Sequence, residues 1–367
     1  MKDSVKSKHA IIFDEKIRDI LPSENVDTSL YEIIDAKGRY VAPGLVDIHI
    51  HGYLGADVSD GNPTGIKIIA DGIIKNGVTA WCPTTMTVQI EEIETAFETV
   101  RNIKNSDTYY GARILGINCE GPFINPLKKG AQSEKNICRP DAQFIKKHSD
   151  IIRLITIAPE VEGALECINN IDKQKIVVSM GHTNATFEEA TEGIIAGISH
   201  TTHLFNAMTP LSHRNPGATG AALVDKDVSV ELIADTFHVN KGLFNLVSDI
   251  KKEKLCLITD CMRAGGMPDG DYTLGGQDVH KQGIKCLMDD GTIAGSVLKL
   301  NEAVRNLYLN SDLEIYDAFN CASLNPARVL KEDGEIGSIE RGKRADLIIV
   351  DDAFEIEKVI FNGEIRV

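Results

Sequence analysis

Eight short apolar runs punctuate the middle of the chain, and each closes on Gly, Pro or a polar group. They are Leu45–Gly52, Val78–Thr84, Ile114–Gly121, Ile155–Glu160, Lys175–His182, His200–Ala207, Val228–Asp235 and Lys254–Asp260. Their richness in β-branched and small apolar residues is what strands buried on both faces require. Between them lie stretches of helical periodicity, among them Gly65–Asn76, Ile90–Asn105, Thr186–Ala196 and Lys241–Lys252. Strand and helix in alternation predict a parallel α/β sheet, and eight such strands predict its closure into a (β/α)8 TIM barrel. A doubly wound open sheet is the competing architecture, but it gathers its polar residues at one switch point. Here His49, His51, Glu120, His182, His203 and Asp260 end five different runs, which suits a ring of strand ends.

The chain of 367 residues exceeds a barrel of roughly 250 residues, so something is added. His9–Ile12 and Tyr31–Val41 near one end, and Ala345–Val350 and Lys358–Val367 near the other, read as short strands between Gly, Asp and Asn turns. The expected organisation is a small β-sandwich built from residues 1–43 and 335–367, with the (β/α)8 barrel at 44–334 inserted between them.

The formal charge of −15 argues against nucleic acid and anionic membranes as partners, because a phosphate backbone meets a repulsive average field. Charged residues from the start of the chain and the lack of a long apolar segment predict neither signal peptide nor membrane span, hence a cytoplasmic protein. Eight cysteines without a CxxC pair read as reduced, buried hydrophobes. Cys119 and Cys261 flank Glu120 and Asp260, yet neighbours on a strand point to opposite faces.

His49 and His51 stand two apart on the first run, so alternation aims both imidazoles at the barrel interior. Glu120 closes the third run, and a buried carboxylate there calls for a cation. His182 and His203 close the fifth and sixth. Two imidazoles and a carboxylate with an open position make a catalytic Zn²⁺-type ligand set, since a structural site is closed by four protein ligands. His49 and His51 are placed to hold a second ion with Glu120 bridging, so one or two divalent ions per subunit are expected. Zn stands first, with Fe, Co, Mn or Ni as alternatives. His200 is read as structural. Asp260, ending the eighth run, is the expected acid/base: it takes the proton of an activated water and delivers it to a leaving amine.

These residues in this order resemble the amidohydrolase superfamily. The entry Pro43-Gly44-Leu45-Val46-Asp47-Ile48-His49-Ile50-His51-Gly52 and the exit Gly342-Lys343-Arg344-Ala345-Asp346-Leu347 mark the superfamily. More specific are Glu120-Gly121-Pro122-Phe123, Gly181-His182-Thr183-Asn184-Ala185-Thr186, His203-Leu204-Phe205-Asn206-Ala207-Met208 and Ala234-Asp235-Thr236-Phe237-His238. They resemble the N-acetylglucosamine-6-phosphate deacetylase family within it. That resemblance implies Glu120, His182 and His203 around the principal metal, His49 and His51 around a second ion, and Asp260 as acid/base. Many two-metal members bridge their ions with a modified lysine on the fourth strand; Ile155–Glu160 has none, in keeping with Glu120 as the bridge. The resemblance also implies that Asn206, Ala207, Arg214 and His238 contact a sugar phosphate, and that Ala131 and the Ile293-Ala294-Gly295 turn contact the sugar. Where relatives carry a carbonyl-polarising histidine this chain has Gln132, whose amide N–H is expected to serve the developing oxyanion.

The implied reaction is hydrolysis of the acetamide of N-acetylglucosamine 6-phosphate to glucosamine 6-phosphate and acetate, in amino-sugar catabolism, by a homodimer with a small amino-sugar phosphate as its partner. An N-acetylgalactosamine-6-phosphate deacetylase or another amide hydrolase of the superfamily is the alternative, separable by a substrate panel. A non-catalytic barrel acting as a scaffold is the other class, separable by metal analysis with an acetate-release assay.

Overall fold

The computed structural model describes residues 2–106 and 111–367. Eight parallel strands run β1 (Leu45–Ile50), β2 (Val78–Thr85), β3 (Ile117–Glu120), β4 (Ile152–Ile157), β5 (Val177–Met180), β6 (His200–Thr201), β7 (Ser229–Ile233) and β8 (Leu255–Ile258). They neighbour one another in chain order from β1 to β8. Helices at Pro63–Ile73, Ile90–Lys104, Ala142–Lys147, Ala164–Asn170, Phe187–Ala196, Gly217–Val224 and Phe244–Lys251 occupy the seven gaps, and Leu300–Leu309 follows β8. Every residue of β1 and β2 is buried, which is why these segments read as continuous apolar runs and not as alternating ones.

Local chemistry starts the helices where the periodicity placed them. Asn62 accepts from Thr64 N ahead of Pro63 at the first helical position, and Ile66, Ile69, Ala70 and Ile73 form the face turned to the sheet. Thr186 and Glu189 form a reciprocal capping box at the start of Phe187–Ala196.

The barrel closes beyond the regular strands. Asp260 N donates to His49 O and His51 N to Cys261 O, each at 2.9 Å, so the seam between β1 and β8 lies at the carboxyl-terminal rim.

Several strands are shorter than expected. Those expected at Lys175–His182, His200–Ala207 and Lys254–Asp260 stop at Met180, Thr201 and Ile258. The chain leaves the ladder there because His182, His203 and Asp260 adopt left-handed φ values of 48°, 30° and 49°. Between β5 and β6 the backbones also close up: a Cβ on Gly181 would lie 2.6 Å from Thr202 Cβ. Ile114 pairs with β2 in a separate two-residue segment, Arg113–Ile114, before β3 begins.

The chain ends meet as expected. Tyr40–Pro43 pairs with Leu347–Val350, which pairs with Ile356–Phe361 and then Glu364–Ile365, all antiparallel. His9–Phe13 and Ile17–Pro22 form a two-stranded sheet, and Ile17, Ile339, Ala345, Leu347, Ile349 and Ile360 share a small core. The strand expected at Tyr31–Val41 is confined to Tyr40–Pro43, because Lys37 and Gly38 turn at φ 49° and 78°.

The glycine-rich stretch after Asp260 suggests a loop, yet it folds into an antiparallel sheet of Gly270–Leu274, Gln277–Gln282 and Lys285–Leu287. Gly275 and Gly276, at φ 55° and 78°, form the two-residue turn that such hairpins favour. Gly276→Val, which meets no neighbouring atom within 4 Å, should cost this sheet about 1–2 kcal/mol of backbone strain alone. Hydrogen exchange of the hairpin amides should quicken roughly tenfold with the barrel amides unchanged; equal exchange in both proteins would contradict this account of the turn.

Candidate metal centre and active site

Six side chains converge at the rim, five of them grouped as potential ligands. Glu120 Oε1 lies 3.1 Å from His182 Nε2 and 2.9 Å from His203 Nε2, while its Oε2 lies 3.2 Å from His51 Nε2. His49 Nε2 stands 3.5 Å from Glu120 Oε1 and 3.3 Å from His51 Nε2. Asp260 Oδ1 completes the ring at 3.2 Å from His51 Nε2 and 3.5 Å from His49 Nε2. All six residues are buried, Asp260 the least so at 8 % exposure. The ligand atoms fall into two groups that share Glu120: His49 with His51, and His182 with His203.

Whether a cation fits follows from the far side of each ring. His51 Nδ1 lies 3.2 Å from Thr84 O and His182 Nδ1 2.9 Å from Lys128 O. A carbonyl oxygen only accepts, so in their neutral form these rings carry their proton on Nδ1 and present the Nε2 lone pair to the site. His49 Nδ1 meets Glu231 Oε2 at 2.9 Å, with the same result. In that neutral form, lone pairs of nitrogen and carboxylate face one another at hydrogen-bond distance, and a proton or a metal cation is what relieves them. The arrangement is repulsive until positive charge enters, and the donor set suits a divalent cation.

The titration behaviour has the same cause. Burial opposes charge on His51, but the Asp260 and Glu120 carboxylates outweigh it and raise the ring to about 9. His49 is likewise raised well above the ordinary range by Glu231 and Glu120 against burial. Burial would lift Glu120, but His49 and His182 hold it well below the usual carboxylate range. Asp260, against burial, is lowered by its bond to His51, so it stands ready as a base at neutral pH.

The residues expected at the substrate side are differently disposed. His238 Nδ1 is held at 2.6 Å by Asp235 Oδ2, while Asp235 Oδ1 accepts from Phe237 N and His238 N at 2.8 Å each. That anchoring leaves Nε2 for a ligand. Arg214 is exposed and among the described residues no ion pair engages it. Asn206 Nδ2 lies 3.3 Å from the carbonyls of His203 and Leu204, and Ala207 O accepts from Thr183 N at 3.1 Å, so both brace the histidine loops. Ala131 is buried beside Gln132. In the Ile293-Ala294-Gly295 turn, Ala294 N donates to Cys286 O at 3.0 Å and the following Ser296 N to Asp260 O at 2.8 Å, which ties the hairpin sheet to the backbone of Asp260.

Gln132 makes a contact beyond the expected one. Its Nε2 donates to Glu120 Oε2 and its Oε1 accepts from Thr87 N, both at 2.6 Å. One N–H of the amide expected to serve an oxyanion is thus directed at the Glu120 carboxylate.

Two residues escaped the sequence reading. Glu231, fully buried on β7, binds His49, His200 and the backbone of His203; its signal is one acid between Val230 and Leu232 in an otherwise apolar strand. Asp47 accepts from Thr259 Oγ1 at 2.6 Å and so holds the residue before Asp260. His200 stays outside the ligand groups, as expected. Burial pushes the Cys119 thiol up to about 12 and Cys261 well above its ordinary value, so neither is an activated nucleophile. A separate cavity of about 910 Å³ opens at the opposite end of the strands, lined by Val177, Ser199 and Ser229 among others, and includes none of these site residues.

The fold and this rim define a class. Residues 40–366 match the model of the amidohydrolase family, and the chain belongs to that metal-dependent family. An N-acetylglucosamine-6-phosphate deacetylase of Bacillus subtilis is 37 % identical over 98 % of this chain and 93 % of its own length. An N-acetylgalactosamine-6-phosphate deacetylase of Escherichia coli O157:H7 is 36 % identical over 91 % of this chain and 89 % of its own. Among solved structures, an N-acetylglucosamine-6-phosphate deacetylase from Pasteurella multocida superposes with a TM-score of 0.94 at 29 % identity, covering 100 % of this chain and 97 % of the other.

Asp47 gives the site a measurable pH signature. Burial raises its carboxyl to about 7, above the roughly 3.9 of an unfolded aspartate. The folded protein therefore favours the protonated form, and this contribution is full below about pH 4 and lost as pH rises through 7. Asp47→Asn should gain thermal stability relative to the parent across that window, read as the difference in Tm at equal metal content. A difference that does not vary with pH would remove Asp47 from the account.

Proposed function

We propose that this chain hydrolyses the acetamide of N-acetylglucosamine 6-phosphate to glucosamine 6-phosphate and acetate. The observation that carries the reading is the convergence of five lone-pair donors with a base-competent carboxylate at one barrel rim. It occurs in a chain that is collinear with deacetylases of that substrate.

Glu120, His182 and His203 would hold one divalent ion, and His49 and His51 a second, with Glu120 shared. A cation bound there supplies a water of lowered pKa and polarisation of the amide carbonyl. Zn²⁺ suits the imidazole and carboxylate donors, and Fe²⁺, Co²⁺, Mn²⁺ and Ni²⁺ share the preference. Asp260 takes the proton of the attacking water and returns it to the nitrogen as the C–N bond breaks, so that the amine and not its anion departs. Gln132 holds Glu120 in place for this. Arg214, unpaired in an acidic protein, and His238, oriented by Asp235, supply charge-assisted donors to the phosphate. Binding energy at that remote group orients the amide for attack.

A homodimer in the cytoplasm completes the reading. The free cysteines accord with a reducing compartment, and no helix among the described residues is long and apolar enough to cross a membrane.

Asp260→Asn should retain its metal by elemental analysis and lose turnover by at least roughly a hundredfold, whereas His182→Ala should lose metal and activity together. Deacetylation at the parental rate by Asp260→Asn would take that residue out of the mechanism. Arg214→Ala should chiefly raise KM for the phosphorylated sugar, and an undiminished preference for it over the free sugar would refute the phosphate assignment. The galactosamine epimer is the second reading, favoured by the nearly equal identity of the Escherichia coli relative. Comparing kcat/KM for the two epimeric phosphates decides between them.

A further inference from the structure

Of the four histidines at the rim, His51 and His182 are oriented by backbone carbonyls, Thr84 O and Lys128 O, which no substitution removes. His203 Nδ1 is buried without a partner. His49 alone depends on a side chain, Glu231, whose Oε2 lies 2.9 Å from its Nδ1. The same oxygen accepts from His203 N at 3.0 Å, at the residue whose left-handed turn aims the ring at Glu120. The other oxygen meets His200 Nε2 at 3.1 Å. A carboxylate in the middle of a barrel strand is costly to bury, and these three contacts satisfy it. None of the three involves solvent or a surface residue.

Resting on the metal reading above, we propose that Glu231 is the positioning residue that makes the His49–His51 half of the centre a metal subsite and ties it to the His203 half. The carboxylate at Nδ1 fixes the ring so that Nε2 is directed between Glu120 Oε1 and Asp260 Oδ1, each 3.5 Å away. Without that acceptor neither the angle of the ring nor the nitrogen it turns to the site is held. A ring that turns away withdraws one of the second ion's ligands. The half built on His182 keeps its own orienting carbonyl and its two imidazoles. Glu231 thereby decides the number of ions per subunit more than the presence of metal.

The test is metal stoichiometry on folded protein, with thermal melting as the control for folding. Wild type, Glu231→Leu and Glu231→Gln are loaded with Zn²⁺, desalted and counted by elemental analysis, then titrated with a chelator. The expected counts are two ions per wild-type chain and one per Glu231→Leu chain. Glu231→Gln, whose amide oxygen still accepts from His49 and His203 N, should hold two but release one at roughly tenfold or more lower chelator concentration, the usual scale for losing an outer partner of a ligand. Two ions in a folded Glu231→Leu chain overturn the proposal, as does a single ion in wild type. If Glu231→Leu does not fold, Glu231→Gln decides alone, and release of both ions as in wild type overturns it. A wild-type chain that binds no ion sinks the metal reading itself, an outcome distinct from the others.

Discussion

Mutual repulsion of lone pairs is the constraint around which this molecule is arranged. Imidazole nitrogens that face each other at 3.1 and 3.3 Å, and a carboxylate among them, do not stay together by their own attraction. The closed barrel holds them there, and the far-side hydrogen bonds from Thr84, Lys128 and Glu231 prevent the rings from turning or exchanging protons to escape. The same field raises His51 and lowers Glu120 and Asp260. Cation affinity and a deprotonated base are two results of one electrostatic frustration.

That frustration is concentrated at one end. The strands beneath are packed with Ile48, Trp81, Ile117, Ile155 and Leu257, all buried completely, and this apolar stack supplies the stability against which the polar rim is held. The rim is in turn braced by side chains around it. Gln132 bridges Glu120 to the backbone of Thr87. Glu160 accepts from Asn125, Thr183 and Asn184 N and so secures the loop bearing His182.

Much of this is legible in the sequence of residues 45–260 alone. The alternation in Leu45–Gly52 aims His49 and His51 inward, and Glu120 does close its strand, because a two-residue period and a run of β-branched side chains describe a buried strand well. His182, His203 and Asp260 were recognised, but as strand termini. They stand in left-handed turns beyond the ladder, a backbone state that hydrophobic patterning does not encode for non-glycine residues. Glu231 was missed because a lone acid inside an apolar strand has no local partner; its three contacts come from residues 28, 31 and 182 positions away. The Gln132 contact is hidden for a related reason. An amide's partners depend on which acceptor lies 2.6 Å away, and that acceptor, Glu120, ends β3 before the loop that carries Gln132. The hairpin sheet near 270–287 shows the reverse failure, in which glycines read as slack instead mark the tightest turn.

The seam between the first and last strands carries one more consequence. Asp260 N bonds to His49 O, and His51 N to Cys261 O, so the join that completes the cylinder and the spacing of Asp260 from the two histidines of β1 depend on the same set of hydrogen bonds. Closure of the barrel and the mutual placement of these side chains are therefore set together, at one end of the cylinder.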